Sequence, residues 1–530
     1  MKVIGISGRD RDAAAALSVD GRVVSAAAEE SFARVPGIGY ARTGGFPHAA
    51  VTACLESACL EAEDVQQIVV VDDGASRPPL AVNGRFRGVP VREIAAERAD
   101  AIHAASASSA DVVMVCGSDP AVMALFRRKD GGLGPRVEVG GADGLARAAR
   151  KVATTLGLGP EHGAVPRDPF ASVDRLSIGA DPEFQDELAP ALRWSDRGAI
   201  DVDDEVLEQA IARVSGDHAS ALSDAASLNE RLQQIRRKIA ASFTCQIAEI
   251  VSRAARQVSG TDPSAVAAGG ALFANARFNS ELGREIGVAV APVPEALGRA
   301  MGAVASESIA IPLGLALGPS FSEETIKRTL DNCRLDYVYE PDWVRLLARA
   351  SRMLSQGKVV GWFQGPMAFG PRALGTRSIL ADPSNRYARH NMNEYLRQSP
   401  IDEPLPVALA PSMARSCLAR EFDHSAGVID AEVRAEWRTP LAGALDWRHH
   451  VRVHGSGSAV EPRLSDLLEA HYAATGTPGL IETNLSGPGE PTACSPRDAV
   501  RAVYSSAIDA LVIGRFLLMK DYWLLRNQDL

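Results

Sequence analysis

Short apolar runs open the chain. Lys2–Ser7, Ala13–Val19 and Val23–Ala28 read as three strands, the last two joined by the turn pair Asp20-Gly21. An amphipathic helix is predicted over His48–Cys59, then a buried strand at Ile68–Val71. Residues 73–100 read as loop, with Pro78-Pro79, Gly84, Gly88 and Pro90, and Val112–Cys116 as another buried strand. From about Arg127 to Ser220, glycine, proline and charge obscure any period, and few elements can be placed. Beyond it, Leu228, Leu232, Ile235, Ile239, Phe243, Ile247 and Ile250 recur at spacings of three and four, one apolar stripe along a long helix. Ala265–Ala268 enters Gly269-Gly270 as a strand-to-helix turn, and Gly287–Ala291 is a further strand. Gly314–Glu324, with Gly318-Pro319-Ser320, reads as a linker.

The remainder alternates helix and strand. A helix over Trp343–Ser355 leads to the strand Val359–Phe363 and the Gly/Pro-rich segment Gly365–Gly375. Pro404–Pro411 alternates as an edge strand would, and Leu464, Leu467 and Leu468 share the face of a helix ending near Ala474. Leu480-Ile481 reads as strand, Pro496–Ser505 as helix and Ile508–Ile513 as strand. The sequence shows no internal repeat.

At 530 residues the chain has room for about two to four domains. A net charge of −10 argues against a basic face for nucleic acid. Seven scattered cysteines without a C-x-x-C fit reduced thiols better than a disulfide framework or a zinc site. The opening Met-Lys-Val-Ile-Gly-Ile-Ser turns polar too soon for a signal peptide. The longest apolar stretch, Ile309–Gly318, is ten residues and too short for a membrane span. The expectation is a cytoplasmic protein that acts on a small molecule, touches neither nucleic acid nor membrane, and has the option of homo-oligomers.

There is no P-loop, no H-E-x-x-H and no G-x-S-x-G. His449-His450 and His454 stand among Trp447, Arg448 and Arg452, without a cysteine, and make a poor metal set. The most distinctive segment is GWFQGPMAFGPRALGTRSILADP, Gly361–Pro383. Its Arg372 and Arg377 lie five apart in a turn punctuated by Gly370, Pro371 and Gly375. Two guanidiniums beside exposed backbone N–H groups suit an anion; a turn whose arginines pair with surface carboxylates is the alternative.

This segment resembles the signature of the O-carbamoyltransferases of the nodulation, cephem and aminoglycoside-tailoring type. The likeness continues in Gly489-Glu490-Pro491, Cys494-Ser495-Pro496 and Asp509–Gly514, and at the N-terminus in Asp12, Ala15-Ala16, Asp20-Gly21, Glu29-Glu30, Phe32 and Arg34. His103–Ala107 and Ala268–Gly270 with Asn275 and Asn279 carry it further. The resemblance implies an α/β protein: an actin-like (threonylcarbamoyl-transfer-like) domain over 1–318, a YrdC-like twisted-sheet activating domain over 319–505, and a segment 506–530 packed back on the first. The order strand, hairpin, helix, strand at the N-terminus suits the first of these. It further implies ATP-dependent transfer of a carbamoyl or related acyl group to a natural-product intermediate. In that frame Arg372, Arg377 and Ser378 bind the activated group, and Gly269, Gly270, Asn275, Asn279, Asn484 and Ser486 hold nucleotide or acceptor. His103 is then a general base or hydrogen-bond partner, against the plainer reading of a core histidine.

The departures from the family pattern are equally specific. Its His-x-x-x-His pair is here Ala99 and His103, its metal-binding Asp aligns with Ala296, beside Glu295, and its early His-Asp is Arg11-Asp12. Its Asp-Gly-x-Gly-Glu loop reads Cys116-Gly117-Ser118-Asp119. The basic residues expected around a carbamoyl phosphate are Ile401, Asp402 and Glu403, whose charge would repel a phosphate, and the signature's glutamate is Ala368. A metal-free homologue with other chemistry, or a silent one that binds a ligand or partner, is therefore the alternative reading. One His with no aligned carboxylate would hold a metal ion poorly, with Glu295 the available substitute, so a metal is expected to be absent or weakly bound. The purified protein should carry well under one equivalent of iron or zinc; a full equivalent by elemental analysis, lost in His103→Ala, would show the opposite.

Overall fold

The structure is a computed structural model. It describes the chain apart from residues 73–83, 107, 118–122, 130–131, 138, 142–143, 159–168, 196, 220–224, 261–264, 292, 294, 306–313, 402, 421–426, 455–460 and 521–530. Pro78-Pro79, Ser118-Asp119, Asp402, much of Ile309–Gly318 and the side chains of Leu228 and Glu295 therefore lie outside the described residues.

The N-terminal apolar runs are β1 (Lys2–Ser7), β2 (Ala14–Val19) and β3 (Arg22–Ala28), an antiparallel meander turned at Asp20-Gly21. β4 (Gln67–Asp72) and β5 (Val91–Ala95) add in parallel on the other side, giving the order β3-β2-β1-β4-β5. A second sheet repeats this plan. Its meander is β6 (Val112–Cys116), β7 (Met123–Lys129) and β8 (Gly132–Val137). A short hairpin, β9 (Leu192–Trp194) with β10 (Ile200–Val202), stands apart. β11 (Ala265–Gly269) and β12 (Gly287–Val290) then lie parallel to β6, so the order is β12-β11-β6-β7-β8. The repeat is one of topology, because side-chain period and burial specify it and many residue choices satisfy both.

Two helices, Ala96–Ser106 and Glu295–Val304, pack on each other between these sheets. Small residues let them approach: a Cβ on Gly302 would overlap the Ala99 carbonyl, and one on Gly5 the Ala300 carbonyl. A buried ion pair, Arg299 Nε to Asp100 Oδ2 at 2.9 Å, fixes the pair in register. The stripe on the long helix Ala225–Ser259 behaves as expected, with Ile235, Ile239, Phe243, Ile247 and Ile250 buried and Leu232 half-buried.

Between Arg127 and Ser220 the structure has helices at Gly144–Thr155, Pro169–Ser177 and Asp204–Ala219. The first buries Ala146, Ala148, Ala149 and Ala153 beside Leu145 and Val152. An alanine face carries little hydropathy, so its period is faint in sequence. The loop reading of 73–100 is likewise corrected by β5 and the helix that follows it.

A nine-stranded mixed sheet forms the rest. Its strands are β13 (Val338–Tyr339), β14 (Val360–Phe363), β15 (Arg377–Ala381), β16 (Pro406–Leu409), β17 (Val428–Glu432), β18 (His450–His454), β19 (Gly479–Asn484), β20 (Ala510–Ile513) and β21 (Phe516–Met519). Their order is β13-β21-β20-β14-β15-β19-β16-β18-β17. Two expectations change here. β16 is interior, between β19 and β18, and tolerates proline because Pro406 is its first residue. β20 pairs in parallel with β14, so residues 510–519 belong to this sheet and do not pack back on the first unit; buried Leu511, Val512 and Ile513 demand a core on both faces.

The linker is strapped down. Ala26 N–H donates to Leu317 O at 3.1 Å, and Phe369 N–H to Leu315 O at 2.7 Å. Gly318 and Met367 extend the pairing, through Gly318 N–H to Met367 O at 2.9 Å. Gly302→Ala should force the two central helices apart and cost about 1–3 kcal/mol, read as a lower denaturant midpoint; an unchanged midpoint would mean that the pair yields without cost.

Candidate anion-binding site

The signature segment leaves β14, turns through residues 364–376 and returns as β15. The turn requires left-handed backbone at Gly370 (φ 124°), Leu374 (φ 44°) and Gly375 (φ 80°). It is stapled from β19. Asn484 Oδ1 accepts from Ala373 N–H at 2.9 Å, and its Nδ2 donates to Pro371 O at 2.8 Å. Glu482 Oε1 accepts from Gly375 N–H and Ser378 Oγ, each at 2.6 Å. Burial raises the Glu482 carboxyl above its ordinary range, and those two hydrogen bonds oppose the shift.

This stapling aims Arg372 into a cavity of about 200 Å³ between Ala274 of the first unit and strands β16–β19 of the second. Arg397, Arg452 and His454 also line it, with Glu403, Thr483 and Asn484. The cations differ in how they are answered. Arg452 donates Nε and Nη2 to Asp430 at 2.8 and 2.9 Å and lies 3.4 Å from Asp174. Burial opposes its charge, but Asp430 and Asp174 carry it above the ordinary guanidinium value. Arg397 donates to Thr483 Oγ1, and its Nε is buried without a partner. Arg372 has only a long contact, Nη2 to Ala274 O at 3.5 Å, and no carboxylate partner among the described residues. Burial, with Arg452 adding and the Asp174 charge opposing, pushes it down to about 10. His454 falls well below its ordinary value, first through burial and then through Arg372 and Arg452, so it stays neutral. Glu403 does not simply repel an anion, because Arg175 Nε lies 3.3 Å from its Oε1.

Arg377 is placed elsewhere. Fully buried in β15, it donates Nη1 to the carbonyls of Gln364, Gly365 and Thr376 and Nη2 to Pro319 O at 3.2 Å. Its guanidinium lies 3.6 Å from the Phe363 ring centroid. Alternation along a strand sends Arg377 and Ser378 to opposite faces, so the paired clamp expected from sequence becomes one pocket arginine and one backbone brace. Ser378 and Asn484 shape the turn, and Ser486 is half-buried in the loop after β19, off the cavity.

The N-terminal residues also serve the frame. Gly270 (φ 91°) brings its turn onto the Cys116 backbone, and Gly269 faces Ala104. Asn275 Nδ2 donates to Leu272 O at 3.0 Å, ahead of the helix Ala276–Glu285. Asn279 Nδ2 donates to Phe273 O at 2.8 Å and across the seam to Val428 O at 3.0 Å. Neither asparagine lines the cavity. His103 is buried against Gly298 beside Val293, away from the cavity, and burial pushes it down to about 4, too weak for a general base near neutrality. Ala99 packs on Gly302, and Ala296 O accepts from Ser7 Oγ. Among the described residues no group of three His, Cys, Asp or Glu is placed to hold a metal.

Sequence reasoning missed Arg397, Arg452 and His454, which lie far from Arg372 along the chain. A period of two does put His450, Arg452 and His454 on one strand face, and that signal was there to read.

Fold and cavity together define a mixed α/β protein with an arginine-lined pocket between Ala274 and strands β16–β19. Residues 351–520 match the family described as the carbamoyltransferase C-terminus. An uncharacterized protein of Synechocystis is 31% identical over 240 residues, 41% of this chain and 38% of that protein. The nodulation protein NolO of Bradyrhizobium diazoefficiens is 30% identical over 185 residues, 33% of this chain and 32% of its own. The 3'-hydroxymethylcephem-O-carbamoyltransferase of Amycolatopsis lactamdurans is 29% identical over 182 residues, 33% and 34% of the two chains. The matched stretches thus span about a third of these relatives' lengths. Residues 351–520 are thus similar to the C-terminal domain of carbamoyltransferases, and the likeness to NolO and to the cephem carbamoyltransferase covers about a third of this chain. No helix of the described residues is long and apolar enough to cross a membrane.

Arg377→Met should leave several buried carbonyls without a donor and cost more than about 3 kcal/mol in chemical denaturation. A loss under about 1 kcal/mol would return Arg377 to the list of ligand contacts.

Proposed function

We propose that the chain is an ATP-dependent carbamoyltransferase, moving a carbamoyl or related acyl group to the hydroxyl of a small natural-product intermediate. The carrying observation is Arg372, a half-buried guanidinium that lines the cavity and, among the described residues, makes no ion pair with a carboxylate. A guanidinium cannot shed its charge, so such a site favours an anion from solvent. At about 200 Å³ the space suits a small phosphorylated donor. In this reading Arg372 and Arg397 take its phosphate oxygens, and Thr483 and Asn484 orient its carbamoyl end. Water hydrolyses carbamoyl phosphate to carbamate and inorganic phosphate; a carbamate oxygen then attacks the α-phosphorus of ATP, the bond to pyrophosphate breaks, and pyrophosphate leaves a carbamoyl adenylate behind. The acceptor hydroxyl then attacks the carbamoyl carbon, loses its proton to a base, and AMP departs with the bonding electrons.

The first unit, with its doubled strand order, is read as actin-like and the second as YrdC-like. A resident metal does not fit the described residues, since Ala99 and Ala296 offer no side-chain donor and no group of three His, Cys, Asp or Glu among them is placed to hold one.

The test is pyrophosphate release from ATP with carbamoyl phosphate, beside calorimetry with carbamoyl phosphate. Arg372→Met should weaken binding about ten- to hundredfold, as for a lost charge-assisted contact, and leave the fold equally or more stable. Arg372→Lys should rescue in part, lacking the bidentate fork. No release together with no binding by the wild type would overturn the reading.

A further inference from the structure

Two residues of the cavity lining are held from outside it by a helix that belongs to the other unit. Helix Pro169–Ser177 presents Asp174 and Arg175 side by side, and each meets a cavity residue of opposite sign. Asp174 Oδ2 lies 3.4 Å from Arg452 Nη2, while Asp174 Oδ1 accepts from Arg277 N–H at 3.1 Å. Arg175 Nε lies 3.3 Å from Glu403 Oε1.

Arg397 is the residue with most at stake. It shares the cavity wall with Glu403, and the Glu403 charge reaches it. Yet among the described residues Glu403 makes its ion pair with Arg175 and not with Arg397. Arg175 is half-exposed, whereas Glu403 is largely covered, its backbone tied by Glu403 N–H to Pro400 O at 2.9 Å and by Asn393 Nδ2 to Glu403 O at 2.8 Å. A covered carboxylate next to two guanidiniums will pair with one of them. Which one it takes decides whether Arg397 faces an incoming anion with its charge free or already neutralised.

Resting on the anion-site reading above, we propose that Arg175 is a positioning residue for donor binding: it engages Glu403 and so leaves Arg397 available to the anion. The first unit thereby sets the anion affinity of a pocket whose cations all come from the second. Without Arg175, Glu403 turns to Arg397 and the site loses one cation.

The test is a double-mutant cycle on the full chain, with carbamoyl phosphate titrated calorimetrically into wild type, Arg175→Ala, Glu403→Gln and the double variant. Arg175→Ala should weaken binding about tenfold or more, as for one lost charge-assisted contact. The double variant should return to within about threefold of wild type, because Glu403 no longer neutralises Arg397. Arg175→Lys should hold most of the affinity, since an ammonium still pairs with Glu403. Thermal unfolding of all variants separates a lost fold from a lost site. Arg175→Ala binding like wild type, or a loss that Glu403→Gln fails to repair, would overturn this role while leaving the anion site standing. Failure of the wild type to bind carbamoyl phosphate would overturn the site and this role together.

Discussion

A guanidinium keeps its charge at any pH a folded protein meets, so every arginine this fold buries must be answered by something else in the fold. Arg299 is answered by Asp100 between the two central helices, and Arg452 by Asp430 and Asp174 across the seam. Arg277 and Arg377 are answered by carbonyls, those of Ser177 and Ala180 for the first and of Gln364, Gly365, Thr376 and Pro319 for the second. Each match ties together segments far apart in sequence and so fixes how helices, sheets and units sit on one another. Arg372 breaks the series. Its position is held as firmly as the others, through Asn484 on the turn, but its charge is left over. One electrostatic requirement thus runs through the fold, met internally at Arg299, Arg452, Arg277 and Arg377 and, among the described residues, left without a carboxylate at Arg372 and Arg397.

The parts of this arrangement legible in sequence were those written in contiguous residues. The β1–β2–β3 meander, the stripe on the long helix and the glycine-punctuated signature turn each depend on local period or local backbone freedom. The helix Pro169–Ser177 was not legible, since it sits amid glycine, proline and charge, yet it supplies Asp174 and Arg175 to the site. The doubled sheet plan escaped notice because strand order is a property of pairing partners and not of any residue run.

The signature arginines show the limit most clearly. Arg372 and Arg377 look equivalent on paper, but β15 begins between them. One stays on the turn and reaches the cavity; the other enters the strand and spends its donors on backbone. The acidic Glu403 shows the converse error. Read alone it repels phosphate, but Arg175, more than two hundred residues earlier in the chain, occupies it.

The strap formed by residues 315–319 gives the boundary between the units an unexpected character. Leu317 covers the outer edge of β3 through Ala26, while Leu315, Gly318 and Pro319 hold the signature segment and Arg377. Composition marks this stretch as the place to divide the protein, yet mechanically it is a shared rib. Cutting there would bare a sheet edge on one piece, an invitation to self-pairing, and loosen a buried cation on the other. Inheritance and engineering alike would find the two halves hard to trade separately, for the peptide that joins them is also part of the architecture of each.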